Sequence, residues 1–135
     1  MNFSKILIVE DSELLHRMYD LIFMNFKTKG AKILHAFNGR DALEKLNTDN
    51  NVDLIILDIN MPVMSGLEFL QYCKKAQIFQ HIPVIIVSTE GSEEDTIRGL
   101  EAGARAYIKK PFQPSELHKM IKKIFENNAG MDVPK

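Results

Sequence analysis

The sequence predicts one α/β domain built on five parallel strands in the order 2-1-3-4-5, with helices on both faces of the sheet. Three observations point there. Short aliphatic runs bounded by polar residues recur along the chain, as in Leu54-Ile55-Ile56-Leu57, and such runs read as strands buried on both faces. Stretches with apolar residues at three- and four-residue spacing separate them, and strands joined through helices must be parallel with right-handed crossovers. The chain has 135 residues, of which 45% are apolar, enough for one core and too few for two.

In chain order, residues 5 to 9 (KILIV) form the first strand, which ends in Glu10-Asp11-Ser12. Leu14, Leu15, Met18, Leu21, Ile22 and Phe26 then repeat with helical spacing. Ser12 or Asp11 can cap this helix and Gly30 marks its end. Lys32 to Phe37 alternates loosely, as an outer strand would. Asn38-Gly39 alone would suggest a hairpin, but Ala42, Leu43 and Leu46 follow at helical spacing, so it reads as a strand-to-helix turn.

The strand 54–57 runs into Asp58 and then a loop, Met61-Pro62-Val63-Met64, in which Pro62 cannot extend a ladder. Ser65-Gly66-Leu67-Glu68 has capping-box spacing and opens a helix to about Gln77. Val84 to Val87 forms the fourth strand, followed by Ser88-Thr89-Glu90-Gly91. Ser92-Glu93-Glu94-Asp95 repeats the capping signature, and Gly103 ends that helix. Ala106 to Ile108 is a short fifth strand leading to Lys109-Lys110-Pro111-Phe112. Pro114 starts a last helix with Leu117, Met120, Ile121, Ile124 and Phe125 inward. The domain is expected to span residues 1–127, with 128–135 a disordered tail.

Composition excludes several function classes. The formal net charge of −1 gives no reason to expect a nucleic-acid or anionic-membrane partner. No apolar stretch approaches the roughly 20 residues that span a bilayer, and the N-terminal apolar run is too short for a signal peptide. The lone Cys73 excludes an internal disulfide and suits a reducing, cytoplasmic setting. Burial as a small hydrophobe is its expected role.

Parallel strands bring their C-terminal ends to one edge of the sheet, where open α/β sheets place ligands. Glu10, Asp11, Asp58, Ser88, Thr89, Lys109 and Lys110 should therefore converge. Taken singly, each could be a turn residue or a solvated charge. Jointly they form a site. Clustered carboxylates oppose one another's ionisation, and a hard divalent cation such as Mg²⁺ removes the conflict. With an ammonium and a hydroxyl added, the set becomes a socket for a phosphoryl group carried on a carboxylate. Successive strand side chains point to opposite faces, so only one of Lys109 and Lys110 can reach it. Asn60 and Glu90 should flank the approach of water to Asp58. His16, His35, His81 and His118 show no metal-ligand spacing and read as surface or packing residues.

From Lys5 to about Phe125 the chain resembles the receiver domains of two-component response regulators. The resemblance rests on Glu10-Asp11, on Asp58 with Asn60-Met61-Pro62 and Gly66, on Ser88, and on Lys110-Pro111-Phe112. It implies a flavodoxin-like (βα)5 fold and a phosphorylation-controlled, chemotaxis-type or phosphorelay switch. Asp58 would accept the phosphoryl group from a histidine kinase or phosphotransfer protein. Mg²⁺ would be held by Asp11, Asp58 and the carbonyl of Asn60, with Glu10 acting through water. Lys110 would contact the phosphoryl group, Ser88 and Tyr107 would form a switch pair, and the Lys110–Pro111 bond would be cis. Such a domain catalyses its own phosphorylation and dephosphorylation, and its output is binding to a target protein. The face made by the helix after Ser92, the strand 106–108 and the last helix would bind that partner. One alternative is a haloacid-dehalogenase-type phosphatase, but that class wants an Asp where Asn60 stands. The other is a receiver-like docking module that no longer takes phosphate.

Overall fold

The computed structural model describes residues 4–49, 51–89 and 93–132. Five strands, β1 (Lys5–Val9), β2 (Lys32–Ala36), β3 (Leu54–Leu57), β4 (Val84–Ser88) and β5 (Ala106–Lys109), form one parallel sheet in the order β2-β1-β3-β4-β5. That is the predicted topology. Helices α1 (Glu13–Ile22), α2 (Met24–Thr28), α3 (Gly39–Thr48), α4 (Gly66–Ala76), α5 (Glu93–Glu101) and α6 (Pro114–Asp132) connect and cover it. No described helix is long and apolar enough to cross a membrane.

The two-residue period of the strands divides the core into two layers. Leu7, Val9, Ile55, Leu57 and Ile86 pack on one face against Ala42, Leu46, Phe69 and Leu70 of α3 and α4. Ile6, Ile8, Leu54, Ile56 and Ile108 pack on the other against Tyr19, Phe23, Leu117 and Ile121. Burying one such aliphatic side chain contributes roughly 1.5–3 kcal/mol, so the central strands, apolar on both sides, dominate the stability.

Local signals set most helix starts. Ser12 Oγ accepts from the amide of Leu15 and caps α1. Asn38 caps α3 through the amide of Asp41. Ser65 and Glu68 make the reciprocal bonds of a capping box on α4, and Gln77 closes that helix in the left-handed conformation. The cap expected at Ser92 lies outside the described residues.

Two expectations about the first helix need correction. Leu14 and Leu21 were expected to face the core, but they are 75% and 68% exposed. The fully inward positions are His16, Tyr19 and Phe23, with Tyr19 and Phe23 packed into the layer of Ile6, Ile8, Leu54 and Ile56. The helix also breaks at Phe23, whose carbonyl accepts from Phe26 N–H three residues on as well as from Lys27 N–H four on, so one expected helix is two. At the other end of the chain, α6 runs to Asp132.

The loop after β3 is tightly drawn. Met64 N–H reaches the carbonyl of Pro62 at 2.7 Å, which leaves Val63, a β-branched residue, at φ +68°. Gly66 donates to the carbonyl of Ile59 at 2.9 Å, and a Cβ on it would overlap the carbonyl oxygen of Asp58. Glycine is thus required for α4 to start directly under the end of β3. We expect Gly66→Ala to lower the unfolding free energy in urea by about 1–3 kcal/mol, the cost of overpacking against backbone that cannot yield. A change within about 0.5 kcal/mol, the range of ordinary surface substitutions, would show that the loop relaxes.

Candidate functional site

The site grows from strand register. Val9 pairs with Leu57, so Glu10 and Asp58 occupy adjacent positions as both chains leave the sheet, and Asp58 N–H still bonds the Val9 carbonyl at 2.9 Å. On β5, Ala106 and Ile108 face the layer that holds Ile6, Ile8, Leu54 and Ile56. Continuing each strand's alternation by one step sends Lys110, Glu10 and Asp58 the same way. Tyr107 belongs to the opposite layer, and Lys109, which shares its parity, is exposed. The amide of Lys110 bonds the Ser88 carbonyl at 2.8 Å, which anchors this end of β5, and the Lys110–Pro111 peptide is cis.

Lys110 Nζ donates to Glu10 Oε1 at 2.8 Å and lies 3.7 Å from Asp58 Oδ1. Glu10 Oε2 accepts from the amide of Ser12 at 3.0 Å, and Asp58 Oδ1 accepts from Ile59 N–H at 2.9 Å. Glu10 is 2% exposed, Asp58 8% and Ser88 0%, whereas Asp11 and Thr89 are exposed. Burial pushes the Glu10 carboxyl above its ordinary value, with Asp58 adding to the rise, against the hydrogen bond from Lys110. Burial likewise raises Asp58, aided by Asp11 and opposed by Lys110, Ile59 N–H and a hydrogen bond from Ser88.

Carboxylate oxygens of Glu10, Asp11 and Asp58 lie within 4.8 Å of one another. Opposite ligands of an octahedral Mg²⁺ stand roughly 4 Å apart, so the cluster has the span and the oxygen chemistry for a hard cation. Asn60 is exposed at the rim. It lines a cleft with Ile59, Leu67, Asp95, Arg98 and Tyr107. Glu90 lies outside the described residues.

Two residues at this site escaped the sequence reading. Tyr19 is buried under it. Burial raises its phenol strongly and the charges of Glu10 and Asp58 raise it further. His16, set aside as a packing residue, is buried with Nε2 2.6 Å from the carbonyl of Glu10. Burial pushes its imidazole below the ordinary value, against the effect of that carbonyl. The signal for both was the spacing 16, 19, 23, which the more apolar leucines obscured.

The family model of the response regulator receiver domain matches residues 6–122. The chain belongs to this family. As a receiver domain it is a phosphorylation-accepting signalling protein rather than a classical enzyme, and neither the family nor its relatives point to a phosphatase. The chain is similar to chemotaxis protein CheY1 of Helicobacter pylori, 32% identical over 124 residues that cover 92% of this chain and 98% of the relative. It is 36% identical over 129 residues to the phosphate regulon transcriptional regulatory protein PhoB of Escherichia coli. That match covers 96% of this chain but only 55% of the relative, so the chain spans about half of PhoB's length. Among solved structures, chemotaxis protein CheY4 of Vibrio cholerae superposes with a TM-score of 0.78 at 32% identity, covering 90% of this chain and 98% of that one. CheY in a CheX–CheY–BeF3–Mg²⁺ complex from Borrelia burgdorferi gives 0.80 at 29% identity, covering 90% and 89%.

The raised Asp58 carboxyl of the receiver makes stability depend on pH in a defined direction. With the folded value above the unfolded one, the native state binds the proton more tightly, so stability falls as pH rises through that window. In metal-free protein, Asp58→Asn should therefore be more stable than the parent at neutral pH. The difference should shrink as pH falls through the carboxylate range, because the parent then protonates. Denaturant melts of both proteins across pH check this; an advantage that grows on acidification contradicts it.

Proposed function

We propose that this receiver takes a phosphoryl group on Asp58 from a histidine kinase or phosphotransfer protein, with Mg²⁺ as cofactor, and thereby changes which target protein it binds. The observation that carries the reading is a buried carboxylate at the end of the central strand, with two more carboxylates and one ammonium converging on it. An Asp58 oxygen forms the P–O bond as the P–N bond of a phosphohistidine breaks, and the electron pair leaves on the imidazole nitrogen. Asp11, Asp58 and the Asn60 carbonyl would hold Mg²⁺, with Glu10, already bonded to Lys110, acting through water. Bound there, the cation would supply positive charge to the phosphoryl oxygens. That the similar Borrelia CheY is found with BeF3 and Mg²⁺ supports this chemistry.

Lys110 neutralises charge at the same place. Phosphoryl oxygens on Asp58 would draw the Ser88 hydroxyl toward them and open room for Tyr107 to turn inward. A ligand shifts such an equilibrium only through contacts that differ between the states, and the Ser88 hydrogen bond is one. The change would emerge on the face of α5, β5 and α6, where Ile97 and Leu100 are exposed beside the half-buried Tyr107. A protein target in the cytoplasm fits that surface, and the near-neutral charge favours neither nucleic acid nor membrane. Asn60 and Glu90 are proposed to leave a path for water, so that the domain catalyses its own dephosphorylation as well as its phosphorylation.

Incubation with acetyl phosphate and Mg²⁺ should add one phosphoryl group to the parent by mass and none to Asp58→Asn. Asp11→Ala should bind Mg²⁺ at least about tenfold more weakly, or about 1.4 kcal/mol. Undiminished labelling of Asp58→Asn would move the acceptor elsewhere.

Phospho-Asp58 should decay over seconds to minutes, and Asn60→Leu should slow that decay by screening the in-line water. A parent half-life of hours, or equal decay in both proteins, would remove water access as the control.

A further inference from the structure

Three side chains outside the phosphoryl site form one hydrogen-bonded chain that ends on its backbone. His16 Nε2 is 2.6 Å from the carbonyl oxygen of Glu10. His16 Nδ1 is 2.6 Å from Nδ1 of His35 on β2. His35 Nε2 is 3.1 Å from Oδ1 of Asp20, one helical turn beyond His16 on α1. Lys27 Nζ lies 3.8 Å from the same Asp20 oxygen, and the Phe37 ring packs against His16, with centroids 4.5 Å apart. His16 is 4% exposed; His35 and Asp20 are half-buried.

The partners dictate the protons. A carbonyl only accepts, so His16 Nε2 carries hydrogen. A carboxylate only accepts, so His35 Nε2 carries hydrogen too. A 2.6 Å contact between two ring nitrogens requires one proton between them. Asp20 meets the far side of the His35 ring and holds it in place.

Glu10 is where this chain matters. Its amide is tied to the Ala36 carbonyl at 3.0 Å and its carboxylate to Lys110 and the Ser12 amide. Its carbonyl is met by His16. We propose that His16 is a positioning residue for the phosphoryl site: it holds the Glu10 carbonyl, and through it the Glu10–Asp11 turn, while His35 and Asp20 hold the ring. The inference rests on the reading of Asp58 as acceptor.

The test compares His16→Gln, His16→Leu and the parent in the whole chain. Glutamine can present a donor where Nε2 stood; leucine keeps bulk without a donor. Labelling of Asp58 by acetyl phosphate and Mg²⁺ should slow about tenfold or more in His16→Leu, as when a group supporting a ligand is lost, and stay near the parent rate in His16→Gln. Nitrogen-15 NMR of the metal-free parent should show the hydrogen on His16 Nε2 that the Glu10 carbonyl requires. Equal rates in the Leu and Gln variants, whether slowed or not, would overturn the inference, as would a His16 protonated at Nδ1 alone. If His16→Leu does not fold, Asp20→Asn serves in its place: slower labelling supports the chain and an unchanged rate overturns it. A parent that takes no phosphoryl group would instead overturn the reading of Asp58, and this inference with it, whatever the ring protons show.

Discussion

Glu10 and Asp58 are carboxylates held out of water at adjacent register positions, and the ammonium that meets them comes from Lys110, 100 residues from Glu10 in sequence. An ionised carboxylate without a partner at such a place costs several kcal/mol, so the two acids and the lysine have to arrive together. They do so because β1, β3, β4 and β5 are consecutive neighbours in one parallel sheet whose strands end at one edge. The lysine does not fully offset the desolvation, and both carboxyls stay above their ordinary values. The domain therefore holds a local excess of negative charge that a cation or a phosphoryl group with its counter-ion can relieve. Stability and function pull on the same atoms.

The surroundings of these charges are stiff, and each support has a local cause. The Ser12 cap fixes where α1 begins. Gly66 lets α4 start against the Asp58 carbonyl with no side chain between them. The capping box of Ser65 and Glu68 satisfies amides at that helix start. On the far side, Tyr19 closes the floor and stacks on Phe112 at a centroid distance of 6.2 Å, which ties the residue after the cis bond to α1. A phosphoryl group added to Asp58 would meet a frame with few soft degrees of freedom. Tyr107, half-buried, borders the cleft lined by Asn60 and Arg98.

Most of this was legible in the sequence, for reasons that can be named. The aliphatic runs at Leu54 and Val84 have no stable place except inside a sheet covered on both faces, and their alternation with helices leaves one economical topology. The acids, the hydroxyl and the lysine follow strands directly, so knowing the topology was enough to bring them to one edge. The two-residue period of a strand allowed only one of Lys109 and Lys110 to reach that edge, and the Pro111-Phe112 match to receiver domains said which. The rotation of α1 was not legible in the same way. Its pattern offers several leucines at helical spacing, and hydrophobicity alone prefers Leu14 and Leu21 to His16 and Tyr19.

Local chemistry in the chain thus determined the strands, their order, the capped helix starts and the residues gathered at the sheet edge, because each rests on a period or a cap spanning only a few residues. Tertiary structure decided what depends on one element's rotation over another. It placed Tyr19 beneath the acids, turned Leu14 and Leu21 outward, and brought His16 and His35, 19 residues apart, within 2.6 Å. No sequence spacing encodes that last contact. It exists because β2 lies at the sheet edge beside β1, under a helix whose first turn is set by Ser12.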